Sequence, residues 1–213
     1  MSDAAAVLAA IADTSPYFVV GTGTDPDGTW QPTSTLRDPA VRDPLVAALT
    51  ARMGAGEPRV AASTLFFGYA ARLWSVAVGS VVESGRCVTL SADELLWCDD
   101  GGIRLHLTHP RFSDDIVREV LERQLEPLVA AWRDVVAPGL LWGNTAAALV
   151  GAGRVVGARA DATVAALLEH PLLRDAFDAR TGRRRSCCLF YRTPAGGVCG
   201  DCPFTNPPSK GSA

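Results

Sequence analysis

Apolar residues return at three- and four-residue steps along most of this 213-residue chain, the spacing of amphipathic helices. A first, alanine-rich helix is expected around residues 3 to 13, and "DPLVAALTARMG" resumes the period before stopping at Gly54. Between them, "GTGTDPDGTWQPTSTLRDP" is dense in turn formers and reads as an ordered but irregular surface loop. Pro58 is placed to open the next helix, on which Val60, Thr64, Phe67, Ala71 and Trp74 form a stripe expected to pack into the core. The pattern changes in "ELLWCDDGGIRLHLT", where two apolar runs flank Asp99-Asp100-Gly101-Gly102 and predict a β-hairpin. Ser113, followed by Asp114 and Asp115, is expected to start a helix that Pro127 breaks or restarts. Asn144 is expected to cap "NTAAALVGAG", Asp161 to cap "ATVAALLEH", and Pro171 to open a last turn-and-helix, "PLLRDAFDAR".

Composition narrows the class. The chain is 48% hydrophobic and 20% charged with a formal charge of −3, the make-up of an ordinary soluble globular protein. It has no basic excess to neutralise a phosphate backbone, so nucleic acid is not an expected partner. "MSDAAAVLAAIADTSPYF" lacks the positive start of an export signal. "LFFGYAARLWSVAVGSVV" has the length of a membrane span but carries Arg72 in its middle, where charge is costly in lipid, and reads as a buried helix. No repeat and no linker divides the chain. The expected fold class is α+β, mostly helical: a single domain with a β-hairpin and a C-terminal cysteine loop.

The chemistry concentrates in "RRRSCCLFYRTPAGGVCGDCPF", residues 183–204, which places Cys187, Cys188, Cys199 and Cys202 in the pattern Cys-Cys-x10-Cys-x2-Cys. In a reducing cytoplasm such a group is more plausible as metal ligands or redox centres than as structural disulfides. The "CGDC" pair reads as a metal knuckle, with Gly200 letting the backbone turn so that both sulfurs face one ion. Adjacent side chains on an extended strand point to opposite faces. Cys187 and Cys188 therefore serve one centre only in a sharply bent backbone, or by reaching different atoms of a larger centre. A [2Fe-2S] cluster is such a centre and takes four thiolates, but soft sulfur donors suit zinc as well. From spacing alone, cluster, structural zinc and a vicinal disulfide all stand.

The segments "RRRSCCLFYRTPAGGVCGDCPF", "LWGNTAAA" and, more weakly, "ASTLFFGYAARL" resemble the FhuF-type ferric-siderophore reductase family, from roughly mid-chain to Phe204. In that family the same ending binds a [2Fe-2S] cluster, so the resemblance implies Cys187, Cys188, Cys199 and Cys202 as its ligands. It further implies a mostly helical reductase-like domain over residues 1–180 and a cluster-binding segment over 181–205 packed on it; the tail at 206–213 reads as disordered from its composition. The implied activity is one-electron reduction of a ferric siderophore, an oxidoreductase reaction. Ferrous iron is softer and less charged, and hard oxygen donors hold it far less tightly, so reduction releases the iron in the cytoplasm. The expected partners are a ferric siderophore, of hydroxamate type first, and an external donor such as a ferredoxin or flavoprotein. "GTGTDPDG" is not a dinucleotide fingerprint, because its glycine spacing is wrong. The expected location is the cytoplasm, with peripheral attachment at the inner membrane face left open and no transmembrane segment. The competing expectation is a non-enzymatic siderophore-binding or scaffold protein with a zinc staple.

Around the cysteines, Arg183, Arg184, Arg185 and Arg192 are candidates to tune an anionic centre or to contact an anionic substrate or donor; the ordinary alternative is a solvated basic patch. Trp142 and Asn144 have a pocket reading and a plainer one, as aromatic anchor and helix cap. Trp30 suits either a binding surface or a cover for the core. His106 and His109 fall on opposite faces of a strand and are expected in surface or packing roles. Cys87 and Cys98 read as small buried apolar residues. No acid/base pair or triad accompanies the cysteines, so no catalytic residue beyond the cluster is expected.

Overall fold

Asp3 caps α1 (Ala4–Ala12), its carboxylate accepting the Ala6 amide at 2.7 Å. The computed structural model describes residues 3–24, 26 and 29–206, so the tail expected at 206–213 falls outside the described residues from 207 onward. The turn-rich stretch after α1 is ordered where it is described, as expected, but it also holds short regular elements. It supplies β1 (Val20–Thr22), β2 (Gln31–Pro32) and a 3-10 turn over Thr33–Arg37. Such short strands leave no periodic signal; they form because partners elsewhere in the chain complete their hydrogen bonds.

Next come α2 (Pro39–Met53), closed by Gly54 at φ 59, and α3 (Pro58–Ser84), which opens on its proline as expected. β3 (Cys87–Val88) precedes the hairpin of β4 (Leu96–Asp99) and β5 (Ile103–Leu107), and β6 (Phe112–Ser113) pairs back with β3. The main sheet runs β1-β5-β4-β2, with β1 parallel to β5 and the other pairs antiparallel. Ser113 therefore ends a strand. The following helical stretch is capped by Asp115, which accepts the Arg118 amide at 2.9 Å. That stretch is π-helical over Arg118–Leu125 and resumes as α4 (Glu126–Trp132), with Pro127 in the first turn.

α5 (Pro138–Val156) starts six residues before Asn144, so Asn144 is not a cap; it lies wholly buried inside the helix. α6 (Asp161–Leu168) begins with Asp161 in its first turn but without a side-chain capping bond. Pro171 opens turns and not a helix; they lead into β7 (Phe177–Asp178), which pairs antiparallel with β8 (Arg183–Arg184). Described residues are 54% helical, and the fold class is the expected one: a single, mostly helical α+β domain with small sheets and its cysteines gathered at the C-terminal end.

The centre of the molecule is the pairing of α3 with α5. α5 buries the small residues Gly143, Ala146, Ala147 and Ala148, and α3 buries Phe66, Leu73 and Trp74 completely. Burial of such large side chains is worth about 1.5–3 kcal/mol each. Among the described residues α3 alone is long and apolar enough to cross a membrane, yet it is mostly enclosed by the other elements. The expected core stripe is only partly right. Val60 and Trp74 are buried, while Thr64, Phe67 and Ala71 are half-exposed. α3 is apolar around most of its girth, so periodicity alone did not say which face meets solvent. Thr64 and Phe67 face the cysteine loop.

Candidate metal centre

The four sulfurs gather at the end of the domain as two pairs. Cys188 Sγ lies 3.5 Å from Cys199 Sγ, and Cys202 Sγ lies 4.0 Å from Cys187 Sγ. These are not disulfides, whose sulfurs are about 2.05 Å apart; all six cysteines are free thiols. Two thiolates on one tetrahedral metal, with metal–sulfur bonds near 2.3 Å, sit about 3.8 Å apart. Both pairs match that separation. Among the described residues no three His, Cys, Asp or Glu side chains converge on a site for a single ion.

The bend that adjacency demands is present. Leu189 takes the left-handed conformation at φ 67, a costly one for a branched side chain, and its amide donates to Cys187 Sγ at 3.3 Å. Past it, the Phe190–Arg192 turn buries Tyr191, and a Cβ on Gly196 would collide with the Phe190 carbonyl. The chain returns through Cys199 to Cys202, whose amide donates to the Cys199 carbonyl at 3.0 Å. The expected role of Gly200 is corrected. It is absent from the positive-φ glycines, and Cys199 and Cys202 each approach a different member of the vicinal pair, so "CGDC" is no knuckle around one ion.

Electrostatics favours charge on one sulfur. Hydrogen bonds from the Cys187 and Cys199 thiols, with Arg184 nearby, hold Cys188 well below the usual thiol range. Cys187 and Cys199 are raised, first by donating to Cys188 and then by burial. Burial works against the charge of Arg184, but its bond to Asp201 and the nearness of Cys188 and Cys199 outweigh this and raise its pKa.

The three-arginine run divides by position. Arg184 is 3% exposed; its Nη1 donates to Asn144 Oδ1 at 2.9 Å and its Nη2 to Asp201 Oδ1 at 2.7 Å. Arg183 donates to the Cys202 carbonyl at 2.6 Å, and Arg185 is exposed. Arg192 pairs with Glu57 just before α3 and so ties the loop to the helix body. In the "LWGNTAAA" segment, Trp142 is partly buried against the core, whereas Gly143 and Asn144 touch the cysteine loop. A Cβ on Gly143 would collide with Ser186 Oγ, and that hydroxyl donates to the Gly139 carbonyl at 3.1 Å. Ser63 escaped the sequence reading. It donates to the Cys188 carbonyl at 2.8 Å, and no local pattern marks it.

The other candidates lie elsewhere. Cys87 and Cys98 are buried in the body as expected, and burial pushes Cys87 up to about 12. His106 is buried in β5, and His109, two residues past the end of that strand, is exposed. Trp30 meets His106 edge-on at 5.6 Å beside a separate cavity that also reaches Arg72.

A cavity of about 400 Å³ opens against one sulfur pair, lined by Cys188, Cys199, Phe67, Phe190, Arg154 and Arg184 among others. Gly151 and Gly200 also line it, and a Cβ on either would meet nothing within 4 Å, so their bare backbones keep it wide. Phe190, 37% exposed, and Val198, 43% exposed, add apolar surface near the sulfurs. Soft donors in twos and a buried guanidinium to offset anionic charge together fit a two-metal thiolate centre.

Among curated proteins none matches the chain. Residues 184–204 match the family model described as the FhuF 2Fe-2S C-terminal domain. The matched segment holds all four cysteines and the buried arginine. The chain therefore ends in a FhuF-type iron–sulfur domain, which supports its place in the FhuF-type family and makes a [2Fe-2S] cluster its cofactor.

Proposed function

We propose that this protein is a cytoplasmic ferric-siderophore reductase in which Cys187, Cys188, Cys199 and Cys202 hold the cluster. The observation that carries the reading is the cavity of about 400 Å³ whose wall includes Cys188 and Cys199. When bound, the cluster supplies one-electron transfer. The chain's own residues do the rest. Phe67 and Phe190 offer apolar surface to the organic shell of a ferric chelate, and Gly151 and Gly200 leave it room. Arg154 presents a cation that has no ion-pair partner among the described residues. The overall change is one electron in, Fe(III) to Fe(II), and loss of the ion from oxygen donors that hold the ferrous state weakly. No proton donor is needed for that step. The electron comes from a separate donor, a ferredoxin or flavoprotein.

The test is ferrous-iron trapping under anaerobic conditions with a chemical reductant and a ferric hydroxamate. Cluster-loaded protein is expected to accelerate release, and Cys199→Ser to abolish the acceleration. Equal rates with the variant would sink the reductase reading. Gly151→Leu, on the α5 wall of the cavity and outside the cysteine segment, is expected to raise KM several-fold with the visible spectrum unchanged. An unchanged KM would move the docking site elsewhere. The zinc-staple alternative predicts colourless protein and no acceleration.

A further inference from the structure

Within the arginine run, Arg184 stands apart from its neighbours. Its amide donates to the Asp201 carbonyl at 2.9 Å, and its guanidinium lies over the Phe67 ring with 5.5 Å to the centroid. Two of its side-chain nitrogens are taken by Asn144 and Asp201; Nε is buried and has no hydrogen-bond partner. Its acceptors are themselves fixed. Asn144 Nδ2 donates to the Ser63 carbonyl at 3.1 Å and to Ser63 Oγ at 3.0 Å, and Ser63 Oγ donates to the Cys188 carbonyl. Asp201 sits between Cys199 and Cys202 in sequence. One side chain thus fastens the vicinal cysteines to the later pair, and it lines the same cavity as Cys188 and Cys199.

A buried N–H without an acceptor is destabilising, and more so on a charged group. Arginine is almost never buried without a purpose-built partner. Asp201 offsets the charge, but the Nε donor is left for an acceptor that the protein itself does not supply. We propose that Arg184 Nε–H donates to a sulfur of the cluster-bound centre, and that Arg184 sets the reduction potential. Asn144 and Asp201 position it. Reduction adds one negative charge to an anionic four-thiolate centre, and a fixed cationic donor beside it stabilises the reduced form more than the oxidised one. Arg184 is a positioning and tuning residue, not a catalytic one. Arg183, Arg185 and Arg192, spent on a carbonyl, on solvent and on Glu57, carry no such role.

This inference rests on the reading that the four cysteines hold a [2Fe-2S] cluster, and its test separates the two. Wild type, Arg184→Gln, Asp201→Asn and Arg185→Gln are purified anaerobically. Each is assayed for iron and acid-labile sulfide and titrated potentiometrically by visible and electron-paramagnetic-resonance spectra. Arg184→Gln is expected to shift the one-electron equilibrium at least tenfold toward the oxidised form, about 59 mV lower in potential. Asp201→Asn unmasks the guanidinium and is expected to shift it the opposite way, while Arg185→Gln leaves it in place. A loaded Arg184→Gln protein with an unshifted potential overturns the inference while the cluster stands. Should Arg184→Gln fail to load, Asp201→Asn decides: an unshifted or lowered potential overturns the inference. Wild type without iron and sulfide overturns both.

Discussion

Between Ala4 and Leu168 the chain buries Leu8, Phe18, Phe66, Leu73, Trp74, Leu121 and Trp132 almost completely. Between Arg183 and Phe204 the buried apolar side chains are Cys188, Tyr191 and Cys202. The first region is held by apolar area. The second has a two-residue strand and one short turn, and depends on Arg184, Arg192 and the sulfurs. Too little apolar surface is buried there to offset the conformational entropy of some twenty ordered residues, at about 1–2 kcal/mol each for the backbone. That contrast predicts that the body folds alone and that the cysteine segment needs its metal centre.

Four substitutions break or sharpen that contrast. Cys188→Ser has the largest expected effect: complete loss of visible absorbance, with the far-ultraviolet helical signal kept. Loss of both together would mean that the body depends on the centre too. Leu73→Ala, in the wholly buried part of α3, should cost about 2–5 kcal/mol in denaturant unfolding while absorbance per folded molecule stays constant. Gly143→Val drives a side chain into Ser186 and is expected to lower cluster content well before it lowers global stability. A fall in stability with full cluster content would contradict the division. Cys98→Ser is the smallest, about 1 kcal/mol or less with cluster content unchanged. Cluster loss there would draw the lone cysteines into the site.

The same contrast marks what the sequence could disclose. The four cysteines were legible because their chemistry is local, and the hairpin because Asp100-Gly101-Gly102 is a strong turn signal, with Gly101 at φ 70. Asn144 was misread as a cap because its partners, Arg184 and Ser63, lie 40 and 81 residues away. The true start of α5 was signalled by Pro138, a good first-turn residue, but Gly139 and Gly143 weakened the helical pattern behind it. β1 was hidden because its three residues are ordered only by pairing with β5 across the chain. Thr64 and Phe67 were assigned to the core because an almost uniformly apolar helix does not announce which face is left for a ligand.

The most direct test is the count of iron and acid-labile sulfide per chain in protein isolated without oxygen. Two of each are expected, falling to background in Cys188→Ser and Cys202→Ser. One tightly held zinc per chain, with no sulfide, would contradict the assignment of the paired cysteines.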